Sequence, residues 1–138
     1  MNWVYQLENE IFTVISHRAT KALKTKYPNI FFTQDAEPDD TTSHFPTVFL
    51  RFMPMAEVGN DLDNISINAV MSAIQIEVTC SKDQKQSGAR QVMWAIIDEF
   101  KKLRYNVAMT PEVLNTGNDT HQVIARVRRV IGQGENIK

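Results

Sequence analysis

Apolar residues recur at helical spacing through the first part of the chain. Val4, Leu7, Ile11, Val14, Ile15, Ala19 and Ala22 fall on one stripe, and Pro28 ends it, which predicts a helix over 2–27. A second stripe is sharper. Ala89, Val92, Met93, Ile96, Ile97, Phe100 and Leu103 are spaced 3, 1, 3, 1, 3 and 3, as an amphipathic helix requires. It lies in the helix-like segment 82–104, whose start can be capped by Asp83 with Gln86, or by Ser87 alone.

Elsewhere the period is two. Ile30 to Thr33 form a short strand-like run. Over 47–58, Val48, Leu50 and Phe52 share one face, and Thr47, Phe49 and Arg51 the other. Pro54 cannot donate to a ladder, so this strand lies at an edge or bends there. Val70, Ile74, Ile76, Val78 and Cys80 alternate with Gln75, Glu77 and Thr79, the pattern of a strand with one buried face. Residues 105–110 read as a strand. In the last run Val123, Ala125, Val127 and Ile131 alternate with Ile124, Arg126, Arg128 and Val130, and Arg129 takes the face opposite to Arg126 and Arg128. Polar loops are expected at 34–46, 57–68 and 111–120, and a flexible tail at 133–138. The order is α-β-β-β-α-β-β in a single domain, 1–138. It predicts an α+β fold: an antiparallel or mixed sheet of about four to five strands with two helices packed on one face.

Composition agrees with one packed domain. A chain of 138 residues with 43% hydrophobic and 22% charged positions has the balance of a globular protein. The net charge is −1, so no global field draws it to nucleic acid or an anionic membrane. Its distribution is uneven. Segment 31–63 carries Asp35, Glu37, Asp39, Asp40, Glu57, Asp61 and Asp63 against Arg51 alone, a net −6. Segments 82–104 and 121–138 are each +3. The single Cys80 excludes an intramolecular disulfide and suits a reducing compartment. Glu8 and Glu10 interrupt the start before a signal-like apolar run forms. No stretch approaches the roughly 20 apolar residues of a membrane span. A soluble protein made inside the cell is expected.

Each candidate chemistry fails on residue type. The stretch "EVGNDLDN" (57–64) is acidic, yet Ile65 or Ser66 stands where a calcium loop beginning at Asn60 or Asp61 needs glycine. "PDD" (38–40) and "EVT" (77–79) weakly resemble a magnesium nuclease site, but Thr79 replaces the lysine that would stabilise charge. His17, His44 and His121 share no zinc spacing. Cys80 sits on the apolar face of its strand, where a thiol acts as a small hydrophobe. "GQG" (132–134) lacks the lysine and helix of a phosphate loop. No aromatics interleave Arg126, Arg128 and Arg129, so a salt-bridged sheet face or subunit interface suits them better than single-stranded nucleic acid. Trp3 and Trp94 read as core or interface anchors. No catalytic residue, metal ligand or cofactor site emerges, and an enzyme is not expected.

Four stretches taken together carry a family likeness: "FPTVFLRFMPMAEVGNDLDN" (45–64), "SAIQIEVTCSKD" (72–83), "ARQVMWAIIDEFKKLRYNVAMTPEV" (89–113) and "HQVIARVRRVIGQGE" (121–135). In order and texture this chain resembles the tail-terminator, or tail-to-head joining, proteins of long-tailed phages and prophages. The resemblance implies a small α+β protein that forms a ring, typically a hexamer, on the head-proximal end of the tail. Such a ring stops tail-tube polymerisation and meets the head connector, so the implied partners are copies of itself, the tail tube protein and the connector. Neither a membrane nor a specific nucleic acid is implied. The implied place is the virion tail, assembled in the host cytoplasm. A head-side adaptor or stopper ring is the nearest alternative; a small metal-dependent enzyme and a plain monomeric binding domain are alternatives of other classes.

Oppositely charged patches on one subunit can pair heterologously and close a ring. The expected interface residues are Glu57, Asp61, Asp63 and Asn64 of the acidic loop, with Arg51, and with Arg126 and Arg128 as candidate partners for the acidic segment. Replacing both Asp61 and Asp63 with Ala should weaken assembly, read by sedimentation, while the monomer keeps its melting temperature. Unchanged assembly would remove this loop from the interface.

Overall fold

The computed structural model describes residues 2–34, 46–58, 69–81, 84–114, 120–132 and 135. In chain order its elements are α1 (Asn2–Leu23), β1 (Phe31–Thr33), β2 (Thr47–Phe52), β3 (Ala56–Val58), β4 (Ala69–Ser81), α2 (Lys85–Lys102), β5 (Asn106–Leu114) and β6 (Thr120–Gly132). The strands form one sheet in the order β1-β2-β4-β6-β5, and β3 also pairs with β4. β1 runs parallel to β2, and every other pairing is antiparallel. This is the expected mixed α+β sheet.

Parity explains the layers. Val70, Ser72, Ile74, Ile76, Val78 and Cys80 of β4 are fully buried, as are Val123 and Ala125 of β6. The predicted stripe of α2 closes over them, with Val92, Met93, Ile96, Ile97 and Phe100 at zero exposure. Leu7, Ile11, Ile15 and Ala19 of α1 belong to the same cluster, so both helices lie on one face of the sheet. Each such Val, Leu, Ile, Met or Phe side chain contributes roughly 1.5–3 kcal/mol when fully buried. The alternating residues of β4 and β6 point to the other side.

Prolines account for two departures from the expected pattern. The strand predicted over 47–58 is broken at Pro54 into β2 and β3, so the sheet gains a strand beyond the expected count. Met53 N–H still donates to Ala73 O at 3.0 Å, but Pro54 has no N–H to continue. Across the break, Phe52 faces Ile74 and Ala56 faces Met71. Four steps on the edge side thus match three on β4, which is a β-bulge. The loop expected at 57–68 accordingly starts later, because Glu57 and Val58 belong to β3. Pro111, expected to open a loop, lies inside β5. That is tolerated because β5 is an edge strand, and its register with β6 shifts on both sides of Met109.

Helix ends also differ from expectation. α1 stops at Leu23 instead of 27, and Tyr27 N–H reaches back to Leu23 O at 2.8 Å. Pro28 disfavours helical backbone at Tyr27, the residue before it. At the start of α2, Gln84 is the N-cap residue and makes no side-chain capping bond, so Ser87 is not the cap. Gln84 Oε1 instead accepts the Ser81 N–H at 3.1 Å. Asp83, the other expected cap, lies outside the described residues.

The far end of α2 is closed tightly. Arg104 N–H bonds to Lys101 O at 2.9 Å and Tyr105 N–H to Phe100 O at 3.1 Å. Arg104 takes a left-handed φ of 66°. The rings of Phe100 and Tyr105 meet edge to face at 5.1 Å. These are the two bonds and the apolar contact of a Schellman ending, normally built with glycine. Arg129, on the core row of β6 and only 7% exposed, adds a donor to Leu103 O at 2.8 Å. Its guanidinium also binds Glu135 Oε1 at 2.7 Å. Gly132 N–H donates to the other carboxylate oxygen at 3.0 Å. That bond, with Arg129 beside it, holds Glu135 below the ordinary carboxylate range. The expected frayed tail is therefore pinned at Glu135, while 133, 134 and 136–138 lie outside the described residues.

Left-handed backbone costs a residue with a Cβ roughly 1–2 kcal/mol, of which glycine's extra unfolded-state entropy returns a part. Arg104→Gly should therefore raise stability by about 0.5–1 kcal/mol in urea unfolding. A drop instead would mean that the Arg104 side chain is itself a stabilising contact.

Candidate functional site

The face of the sheet turned away from both helices carries cross-strand rows set by the ladder. Arg51 of β2, Gln75 of β4 and Arg126 of β6 stand opposite one another. The next row is Phe49, Glu77 and Ile124, and the one after it Thr47, Thr79 and Gln122. With strands about 4.8 Å apart, Arg51 and Arg126 flank Gln75 at a backbone separation of roughly 10 Å.

A chain of hydrogen bonds crosses these rows. Arg126 Nε donates to Gln75 Oε1 at 3.0 Å. Gln75 Nε2 donates to Glu77 Oε2 at 3.2 Å, and Gln122 Nε2 donates to Glu77 Oε1 at 3.2 Å. The amide of Gln75 can serve both neighbours in one orientation only, oxygen to the cation and NH2 to the carboxylate. Gln75 is 8% exposed, although it sits on the open face. Around this chain lie half-buried Phe49, Met71, Ala73 and Ile124, and Val130 is 45% exposed. The result is a mixed surface whose central polar groups are already held in place.

The structure brings together some of the residues singled out from sequence. Arg51 and Arg126 share a row, and Arg128 lies two positions further along β6, opposite Ala73 on one side and Asn106 on the other. Among the described residues the side chains of Arg51 and Arg128 make no hydrogen bond or ion pair, and both are exposed. The partner of Arg126 is Gln75, not an acidic residue. Glu57 stands opposite Val70, five residues along β4 from Gln75, or roughly 17 Å at strand rise. Asp61, Asp63 and Asn64 lie outside the described residues. Gln75, Gln122 and Val130 were not singled out, and Glu77 was weighed only within "EVT" (77–79) for a metal role. Their signal was the polar alternation of the two strands, which marks an uncovered face without saying what meets it.

The remaining candidates for chemistry are placed plainly. Cys80 is fully buried, and burial pushes its thiol up to about 12, so it is neither a thiolate nor accessible. The Tyr105 hydroxyl bonds Ser72 Oγ at 2.8 Å, and burial pushes it up to about 12 as well. His17 lines a groove of about 650 Å³ between α1 and β1. His121 stands opposite Cys80 across the ladder. Among the described residues no three His, Cys, Asp or Glu side chains are grouped to hold a metal, and no helix is long and apolar enough to cross a membrane. Trp3 packs against the core, whereas Trp94 is 43% exposed on α2. No protein-family model matches the chain, and no curated protein matches it.

The two arginines of β6 make a direct comparison. Arg126→Ala removes a bond to a nearly buried amide and should cost about 0.5–1.5 kcal/mol. Arg128→Ala should stay within about 0.5 kcal/mol, as for a surface change without a partner. Urea midpoints of the two variants measure both. Equal losses would mean that the Gln75 bond contributes nothing to the monomer.

Proposed function

We propose that the protein is a structural component of a long-tailed phage or prophage: a ring-forming tail terminator that caps the tail tube and joins it to the head connector. The observation that carries this reading is the face of β2, β4 and β6 that neither helix covers, where the Arg126–Gln75–Glu77–Gln122 chain is already ordered and the cations Arg51 and Arg128 stand beside it without a partner among the described residues. The family likeness of residues 45–135 supplies the biological setting.

The physical work of a terminator is contact, not bond chemistry. It must bind a tube end through one surface and present a different surface to whatever comes next. A β face with ordered polar groups suits the first task. The side chains of Arg126, Gln75, Glu77 and Gln122 are held by cross-strand hydrogen bonds, so docking on them costs little of the ordering entropy that weakens flexible surfaces. Arginine is enriched at interfaces because one planar group can pack and donate in several directions at once. The half-buried Phe49, Met71 and Ile124 add apolar area between the polar groups. The asymmetry of charge along the chain suits head-to-tail association, in which unlike surfaces meet and a ring closes.

Electron microscopy of particles from a phage carrying a clean deletion of this gene tests the reading. Tails of abnormal and variable length are expected, since tube growth would have lost its stop. Normal-length tails detached from filled heads would assign the ring to the head side instead. Intact, infectious particles would overturn the morphogenesis reading.

A further inference from the structure

The chain contains two adjoining charge blocks of opposite sign. Residues 11–34 hold Arg18, Lys21, Lys24 and Lys26 and no Asp or Glu, whereas residues 35–45 hold Asp35, Glu37, Asp39 and Asp40 and no Lys or Arg. The structure turns the first block into a surface. His17 and Lys21 on α1 and Lys24 in the turn that follows it succeed one another at spacings of 4 and 3, with Arg18 alongside. Two hollows adjoin this strip, and Lys21 borders both.

The first hollow, about 650 Å³, has a polar wall of Ser16, His17, Lys21 and Lys24 and an apolar floor that includes Ile30 and Phe32. The second, about 430 Å³, lies between α1 and α2 and is lined by Arg18, Lys21, Ala22, Glu99 and Lys102. Among the described lining residues Glu99 is the one acid, and its carboxylate is taken by Lys102 at 3.0 Å. Arg18, Lys21 and Lys24 make no ion pair among the described residues. The strip is thus a set of unneutralised cations over an apolar floor, suited to an acidic segment that also carries apolar side chains.

We propose that the strip receives the acidic segment 35–45 of a neighbouring copy of this chain, head to tail around the ring; the inference rests on the ring reading above. A ring of identical subunits needs two unlike, complementary surfaces on each, and these two blocks are complementary in sign and equal in charge. Length agrees. The described residues on either side of 35–45 lie where β1 and β2 run parallel, with Phe31 opposite Thr47 and Phe31 N–H on Pro46 O at 3.0 Å. Returning from Gln34 to Pro46 needs roughly 13 Å, while eleven residues can extend over roughly 36 Å. The surplus is enough to reach past the subunit's own edge. The contact differs from a pairing of the acidic loops with Arg126, whose nitrogen is already bonded to Gln75.

Charge exchange tests it. Three variants are compared by light scattering and native mass spectrometry over a concentration series at 50 and 500 mM salt: Lys21→Glu with Lys24→Glu, Asp39→Lys with Asp40→Lys, and all four changes in one chain. Each pair alone should raise the concentration needed for assembly at least tenfold. Mixing the two pair variants should restore assembly with the two alternating, since the native segment of one meets the native strip of the other and the two exchanged surfaces also match in sign. The fourfold variant should regain assembly. All changed residues that the structure describes are exposed, so unchanged circular dichroism is expected, and milder Lys21→Gln with Lys24→Gln covers a variant that fails to fold. Assembly unaffected by either pair, a mixture that does not assemble, or a wild-type chain monomeric up to millimolar concentration would overturn the proposal. Charge-dependent rings from a phage whose deletion leaves tails and infectivity intact would overturn the terminator reading alone.

Discussion

The antiparallel pairing of β4 with β6 is the constraint on which the rest depends. Thirteen consecutive register pairs run without interruption from Ala69 opposite Gly132 to Ser81 opposite Thr120. Because side chains alternate with a period of two, this one register assigns every residue of both strands to a face. It puts Ile74, Ile76 and Val78 beside Val127, Ala125 and Val123 beneath α2, and it puts Gln75 beside Arg126 on the open side. A slip of one residue would exchange the two sets. The apolar row and the polar chain are therefore products of the same ladder, and neither can be altered without the other.

A second dependence runs through the end of α2. Its last carbonyls would be left without partners at the base of the core, where an unpaired group costs about 1–3 kcal/mol. Backbone bonds from Arg104 and Tyr105 meet two of them, and the guanidinium of Arg129 meets Leu103 O. Arg129 occupies a core row otherwise filled by Val123, Ala125, Val127 and Ile131. A cation is tolerated there because it is bonded to a helix-terminal carbonyl and to Glu135, and because it sits at the negative end of the helix. The side chain that breaks the apolar pattern of β6 is thus the one that ties helix, strand and tail together.

The candidate site was only partly legible in the sequence. The alternation of Gln75, Glu77 and Thr79 against Ile74, Ile76 and Val78 marks a strand with one uncovered face. It does not reveal that Gln75 is nearly buried by its neighbours, or that its amide is shared between Arg126 and Glu77. Those residues are separated by 51 and 2 positions respectively. The long-range member of such a pair is set by register, which no local pattern contains. Similarly, Arg18, Lys21 and Lys24 were not singled out from sequence and gain their setting only where β1 and α2 lie beside them.

What the sequence by itself determined is whatever follows from period and residue type. The stripe of α2, the alternation of β4 and β6 and an edge or bend at Pro54 are local consequences of side-chain spacing and a missing N–H, so they could be read directly, whereas the full break into two strands could not. Tertiary structure alone decided the rest. Pro111 continues a strand because its partner lies on one side only, Arg104 turns left-handed because Tyr105 must reach Phe100, and Arg129 is buried because a helix ends above it. In each case a local preference gives way to a hydrogen bond or a buried contact with a residue from another part of the fold, where satisfying backbone groups and burying rings outweighs the roughly 1 kcal/mol that local preferences are worth.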